Sequence, residues 1–204
     1  MILTYKKGKG DKIHLLIDGE YFTTVDEMYF ASLYLKDGQE IDEETLRDIK
    51  NITDIRRAYN YAVSLLSGRD HSYSELMGKL KAKGFKDCAE EALLKLQAQG
   101  YIDDERFADM YVRELITLKK YGKKRIEQEL YKKGVDRDII KEVIENAEFP
   151  EDRLTDIIRK KYLRYLTDEK GIRKTVNALL RLGYSYGEIR DALAEINDLE
   201  VTDE

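Results

Sequence analysis

The 204-residue sequence predicts a mainly α-helical protein: three tandem three-helix repeats, helix-turn-helix-like, elongated and curved, behind a small N-terminal extension containing β-hairpins. Three observations predict it. Gly84, Gly134 and Gly183 recur at spacings of 50 and 49 residues, each with a leucine four positions earlier (Leu80, Leu130, Leu179) and an apolar residue just after (Phe85, Val135, Tyr184). A fixed period of this length is the mark of stacked helical modules. From Thr53 onward the apolar spacing changes from a period of two to one of 3.6. Finally, 38% charged residues beside 42% hydrophobic ones suit slender modules with much surface better than one sphere.

Residues 1–50 make the extension. Ile2 to Lys6, Lys12 to Ile17 and Tyr21 to Val25 are rich in β-branched, aromatic and aliphatic residues, and Gly8-Lys9-Gly10 and Asp18-Gly19-Glu20 separate them. A three-stranded meander follows, its second hairpin turning at Asp-Gly, which favours the positive φ angles that match strand twist. Short helices are expected over Met28 to Leu35 and Glu43 to Ile49, with Lys36-Asp37-Gly38 as the break.

Repeat 1 spans 51–103. Ile55, Ala58, Tyr59, Ala62, Val63, Leu65 and Leu66 mark one face of its first helix, ended by Gly68. Ser72 and Glu75 form a capping box that starts the second helix, and Gly84 stops it. Asp87 and Glu90 repeat the box for a third helix ending near Gly100. Repeat 2 covers 104–149: a long helix from Asp104 to Lys119, a break at Gly122, a helix through Ile126 and Leu130 to Gly134, and a third from Asp136 through Ile144. Pro150 opens repeat 3, 150–204. There Leu154, Ile157, Ile158, Leu163 and Leu166 lie on a long helix, Val176, Leu179 and Leu180 on a short one, and Ser185 with Glu188 caps the last. The order long, short, intermediate is expected in every repeat.

Composition narrows the function. Cys88 is the single cysteine, so neither an intramolecular disulfide nor a multi-cysteine zinc site can form, and a reducing cytoplasm is the expected setting. No apolar run reaches the length of a membrane span, and no secretory leader is recognisable. An enzyme is not expected. His14 in a strand and His71 in a loop are the two histidines, and both read as solvated. Cys88 lies at a helix start that would favour thiolate, yet a small half-buried side chain explains it as well. Asp103-Asp104-Glu105 read as a helix cap rather than a cation site, because consecutive residues there diverge and no distant ligand is specified. No cofactor and no metal are expected.

One polar feature exceeds background. Residues 113–133 carry eight basic against three acidic side chains, although the whole chain has a net charge of −5. The eight are Arg113, Lys119, Lys120, Lys123, Lys124, Arg125, Lys132 and Lys133. They flank a helix junction whose amides add to the positive potential, with Tyr111, Tyr121 and Tyr131 interleaved. Such a patch can meet phosphate on an acidic protein.

Arg69-Asp70-His71-Ser72, Glu75-Leu76, Lys79-Leu80, Lys83-Gly84-Phe85 and Gly100-Tyr101-Ile102-Asp103-Asp104-Glu105-Arg106-Phe107-Ala108 together resemble the signature of the RecX family. Lys120, Gly122, Arg125-Ile126, Leu130 and Lys133-Gly134-Val135 continue it, and the likeness covers most of residues 54–198. The resemblance implies a non-catalytic, monomeric, cytoplasmic regulator of three three-helix repeats. It implies that the protein binds the RecA recombinase or the RecA–DNA filament, with weak direct DNA contact, and inhibits recombination and ATP hydrolysis in DNA repair and the SOS response. Gly84, Gly134, Gly183, Ser72, Glu75, Asp103, Asp104 and Phe107 would then be structural positions of the repeat. Two other readings stay open: a helix-turn-helix DNA-binding protein, and a helical-repeat scaffold for another protein. The third helices are poor recognition helices, since Glu90 and Glu91 face one Lys95 where Arg, Asn and Gln are wanted.

Overall fold

The computed structural model describes residues 1–202, with side chains described through Ile196; the last two residues of the expected third repeat lie outside those described. The chain divides into two units: Met1–Arg69 with Leu76–Tyr101, and Asp70–Glu75 with the chain from Ile102 onward.

In the first unit, β1 (Ile2–Lys7), β2 (Lys12–Ile17) and β3 (Glu20–Asp26) form the expected antiparallel meander. Asp18 and Gly19 both take positive φ, 50° and 86°, as the tight turn requires. A two-residue strand, β4 (Gln39–Glu40), adds to β1 and gives the order β3-β2-β1-β4. Two polar residues carry no alternation to read. The strand is placed instead by the preceding turn, where Gly38 N donates to Leu3 O at 2.9 Å and Tyr5 N to Asp37 Oδ1 at 3.1 Å.

Helix α1 (Glu27–Ser32) is shorter than expected and is capped by Asp26, which accepts from Tyr29 N at 2.7 Å. Helix α2 (Glu43–Leu66) corrects a larger expectation, because one unbroken helix replaces two. Lys50-Asn51-Ile52 contains neither glycine nor proline, so nothing interrupts the backbone ladder. What changes is the core: Ile49 packs with Leu3, Ile13, Leu15 and Val25 of the sheet, while Ile55, Ala58 and Ala62 are buried further along. Residue 50, the expected end of the extension, therefore lies inside α2.

Helix α3 (Tyr73–Lys83) begins at the expected cap, and α4 (Ala89–Ala98) runs beside α2. Ala58, Ala62, Ala89 and Ala92 are all fully buried, small side chains that let the two helices approach. Asp87 does not cap α4; Cys88 holds that position without a side-chain cap bond.

In the second unit, α5 (Asp104–Glu114) is capped by Asp103, which accepts from Arg106 N at 2.9 Å. The helix continues as a π turn over Leu115–Lys119 and ends at Lys120, a non-glycine residue at φ 57°. Helices α6 (Lys123–Lys132) and α7 (Arg137–Asn146) fold over it, burying Phe107, Val112, Leu115, Ile116, Ile126, Leu130, Ile140 and Val143. The third helical trio departs from the expected lengths. Helix α8 (Arg153–Lys161) is the shortest, a 3-10 turn takes Leu163–Tyr165, and α9 (Glu169–Arg181) and α10 (Tyr186–Thr202) are longer. Asp168 resets the chain there by capping α9 through Gly171 N at 2.6 Å. Leu154, Ile157, Ile158, Leu179, Tyr184, Ile189, Ala192 and Ile196 fill this trio's core.

The repeating glycines have one physical explanation. Phe85 N donates to Leu80 O, Val135 N to Leu130 O and Tyr184 N to Leu179 O, at 3.0, 3.2 and 3.3 Å. Inside each of these lies a shorter loop, Gly84 N to Lys81 O, Gly134 N to Tyr131 O and Gly183 N to Leu180 O, at 3.1, 2.9 and 3.0 Å. This nested pair is the Schellman motif, which needs a left-handed residue at its centre. The glycines supply it at φ 103°, 71° and 92°. Leu80, Leu130 and Leu179 are fully buried and provide the apolar contact that closes the motif.

Candidate interaction surface at the α5–α6 junction

Gly122 opens α6, and its N–H donates to Leu182 O at 2.8 Å. A Cβ at Gly122 would collide with the backbone of Gly183 and Tyr184, and one at Gly183 with the backbone of Arg125. The start of α6 thus rests directly on the glycine turn that ends α9. Tyr184 locks the same junction by donating its hydroxyl to Lys120 O at 2.9 Å. Burial pushes the Tyr184 hydroxyl pKa up, so it stays a donor.

This packing holds the loop between the π turn and α6 in place and presents its lysines outward. Lys119, Lys120, Lys123 and Lys124 are exposed and form no ion pair among the described residues. Lys123 Nζ stands 5.0 Å from the centre of the Phe149 ring. Arg113 is exposed on α5. Among the described α-helices, α6 is the one whose first turn lacks an acidic residue, and it carries Lys123, Lys124 and Arg125 there instead. Cations at a helix N-terminus oppose the dipole at roughly 0.3–1 kcal/mol each. Helix stability does not call for them; the amides of Gly122, Lys124, Arg125 and Ile126 already donate to Leu182 O, Gly183 O and Gly122 O, so an anion here would meet the lysine ammonium groups.

Three of the eight expected patch residues are already engaged. Arg125 and Lys132 both pair with Glu129, at 2.8 and 2.9 Å, and the Lys132 bond and the Arg125 charge hold the Glu129 carboxyl below its usual range against its partial burial. Arg125 also lies over Tyr121, with its Nε buried. Lys133 is a clearer correction. Its Nζ is 2.6 Å from Glu75 Oε1 and sits over the Tyr111 ring, so it is an internal counter-ion and not a free surface charge.

That ion pair belongs to a buried polar cluster whose members lie far apart in sequence. Ser72 Oγ donates to Lys133 O at 2.5 Å and accepts from Glu75 N at 3.1 Å, so the serine half of the capping box forms while the Glu75 carboxylate reaches Lys133 and His71. Asp104 Oδ1 accepts from Tyr73 N at 2.8 Å, and burial pushes its carboxyl pKa up. Phe107 is buried and stacks on Tyr111. His71 is buried with Nδ1 3.3 Å from Glu75, and His14 is half-buried with Nδ1 2.7 Å from Thr24 Oγ1; neither is the solvated side chain expected. The spacing of 50 between Ser72 and Gly122, each ahead of a middle helix, was the available signal for these two junctions.

Cys88 is buried, and desolvation pushes its thiol up rather than favouring thiolate. In the native protein it is expected to react slowly with Ellman's reagent at mildly alkaline pH and fast once unfolded; equal rates would contradict this burial. Among the described residues no group of three His, Cys, Asp or Glu side chains is placed to hold a metal ion, and no helix is long and apolar enough to cross a membrane.

Comparison with known proteins fits this architecture. Residues 58–101 match the family model described as RecX, first three-helix domain, and residues 103–144 match RecX, second three-helix domain. The regulatory protein RecX of Caldanaerobacter subterraneus subsp. tengcongensis is 33% identical over 92% of this chain and 95% of its own length. The chain belongs to the RecX family. Among other RecX proteins, that of Listeria welshimeri is 30% identical over 95% of this chain and 74% of its own. A crystal structure of regulatory protein RecX superposes with a TM-score of 0.71 at 26% identity, covering 93% of this chain and 98% of that one. RecX from Lactobacillus salivarius gives a TM-score of 0.63 at 28% identity, covering 71% and 97%. RecX relatives are named regulatory proteins, and the mainly helical fold is shared with solved members of the family.

Proposed function

We propose that this RecX-family chain binds the RecA recombinase, or its filament on single-stranded DNA, and inhibits strand exchange and ATP hydrolysis without catalysing a reaction itself. It acts in the cytoplasm as a monomer. The observation that supports the reading beyond family membership is the reversed charge of α6: unpaired lysines at a helix N-terminus, held by the Gly122–Gly183 contact. Lys119, Lys120, Lys123 and Lys124 meet phosphates of the filament's DNA through their ammonium groups. Arg113 extends the patch along α5. Arg125, Lys132 and Lys133 serve the fold, and the test leaves them intact.

The experiment is a titration of recombinase ATPase on single-stranded DNA with the wild-type chain and with Lys119, Lys120, Lys123 and Lys124 all changed to Glu. The wild type is expected to inhibit, and the variant to lose inhibition at moderate salt with its circular dichroism unchanged. The slope of log affinity against log salt should flatten by roughly 3, from about 0.7 per lost phosphate contact. Unchanged inhibition would remove the patch from the contact, and no inhibition by saturating wild type would remove the functional reading.

A further inference from the structure

The three glycine turns are alike in hydrogen bonding, and two of them carry an occupant within the chain. The turn at Gly183 receives the start of α6, with Gly122 N on Leu182 O. The turn at Gly134 receives the start of α3: Ser72 Oγ on Lys133 O, Ser74 against the position a Gly134 Cβ would fill, and Glu75 on Lys133 Nζ. In both cases the carbonyl before the glycine accepts from the N-cap residue of an incoming helix. Among the described residues the turn at Gly84 has no such occupant: none lies within 4 Å of the position a Cβ there would take, and Lys83 and Gly84 are exposed.

The Gly84 turn also repeats the chemistry that selects the occupant at Gly134. Lys133 Nζ sits 5.5 Å from the centre of the Tyr111 ring, and Lys83 Nζ sits 5.6 Å from that of Tyr61. Tyr61 and Tyr111, like Lys83 and Lys133, are 50 residues apart. The same tyrosine orients the same lysine beside the same turn. Lys133 spends its charge on Glu75, whereas Lys83 forms no ion pair among the described residues. At the Gly183 turn the corresponding residue is Leu182, and the occupant there brings Arg125 at the place of the glutamate. The carboxylate thus comes with the lysine at Gly134, and where leucine replaces that lysine at Gly183 the incoming helix carries no carboxylate at this position.

We infer that the Lys83–Gly84 turn is a docking surface for the first turn of an α-helix on a protein partner, one with a small or hydroxyl N-cap and a carboxylate at its third helical position. The N-cap donates to Lys83 O and the carboxylate pairs with Lys83 Nζ, as Ser72 and Glu75 do at Lys133. In naming the recombinase as the bearer of that helix, the inference rests on the function proposed above.

The test has two arms. In the first, an N-acetylated peptide with the sequence of residues 70–84 is titrated into the labelled full-length chain and followed by amide chemical shifts. Shifts are expected at Lys83, Gly84, Phe85 and Tyr61, abolished when the peptide carries Glu75→Lys, and restored when that peptide meets the Lys83→Glu chain. Absence of shifts at the turn, or shifts indifferent to the charge swap, overturns the proposal. In the second arm, recombinase binding is measured for Lys83→Glu and for Lys81→Glu, the same charge change at an exposed position of α3 that has no counterpart in the repeat. Lys83→Glu is expected to weaken binding about tenfold or more, and Lys81→Glu far less. Equal effects overturn the docking role. If the wild type does not bind recombinase at all, the functional reading fails while the peptide arm still decides the turn. If Lys83→Glu changes the sedimentation of the chain alone, the occupant is a second copy and the proposal of a foreign partner is wrong.

Discussion

Gly183→Ala is expected to destabilise the second unit by ~2–5 kcal/mol, more than any other single added methyl considered among the three repeated glycines. Two costs combine at this position. Gly183 has φ 92°, and an alanine forced into the left-handed region loses roughly 1–2 kcal/mol. The new Cβ would also fall on backbone atoms of Arg125, which cannot rotate away, and overpacking of that kind costs about 1–3 kcal/mol. Gly84→Ala meets the first cost alone, because no described residue lies within 4 Å of its Cβ position, so a loss of roughly 1–2 kcal/mol is expected. Gly134→Ala falls between them: of the Ser74 atoms it would meet, Oγ can rotate away, whereas Cβ moves only with the backbone.

The measurement is urea unfolding by circular dichroism, with hydrogen exchange at Gly122 N reporting the junction locally. Gly122→Ala is a useful companion. Its φ of −76° is ordinary, so its loss isolates the steric cost against Gly183 and Tyr184. If Gly84→Ala and Gly183→Ala lose the same stability, the glycines serve the turn only, and the close approach of α6 to the Gly183 turn contributes nothing.

These costs also show which parts of the fold local sequence can encode. The leucine, glycine and apolar triplet is legible because the Schellman motif is built within six residues, so its three requirements sit side by side in the chain. The meander is legible for a similar reason: Ile13 and Leu15 alternate with polar neighbours, and Asp18-Gly19 supplies the turn. Continuity of α2 is not legible, because Ile49 and Ile55 face different cores and the change of partner looks like a break in period. The contraction of α8 is equally hidden, since Leu163 and Leu166 keep a helical spacing although the chain turns at Tyr162. Of the candidate site, the exposure of Lys119, Lys120, Lys123 and Lys124 follows from their place at a helix junction. The loss of Lys133 from the patch does not, because its partner Glu75 lies 58 residues away and only the fold brings them together.

Glu75→Ala is accordingly expected to destabilise the second unit by ~2–3 kcal/mol, below the ~3–5 kcal/mol of a fully buried pair because Lys133 keeps some solvent contact. Most of the loss comes from the lysine left behind. Its ammonium would remain against the Tyr111 ring, partly desolvated and without its carboxylate. Lys133→Met is expected to cost less than Glu75→Ala, because His71 still lies 3.3 Å from the Glu75 carboxylate and can share its charge. The double variant Glu75→Leu with Lys133→Met should recover much of either loss, as apolar replacements of buried ion pairs do. A double-mutant cycle by urea unfolding measures this directly, and a coupling below ~0.5 kcal/mol would mean the two residues act independently. A larger coupling would fix the physical basis of the docking rule as well. The lysine before the glycine would then be shown to select a carboxylate on the incoming helix, which is the property that Lys83 presents without an occupant.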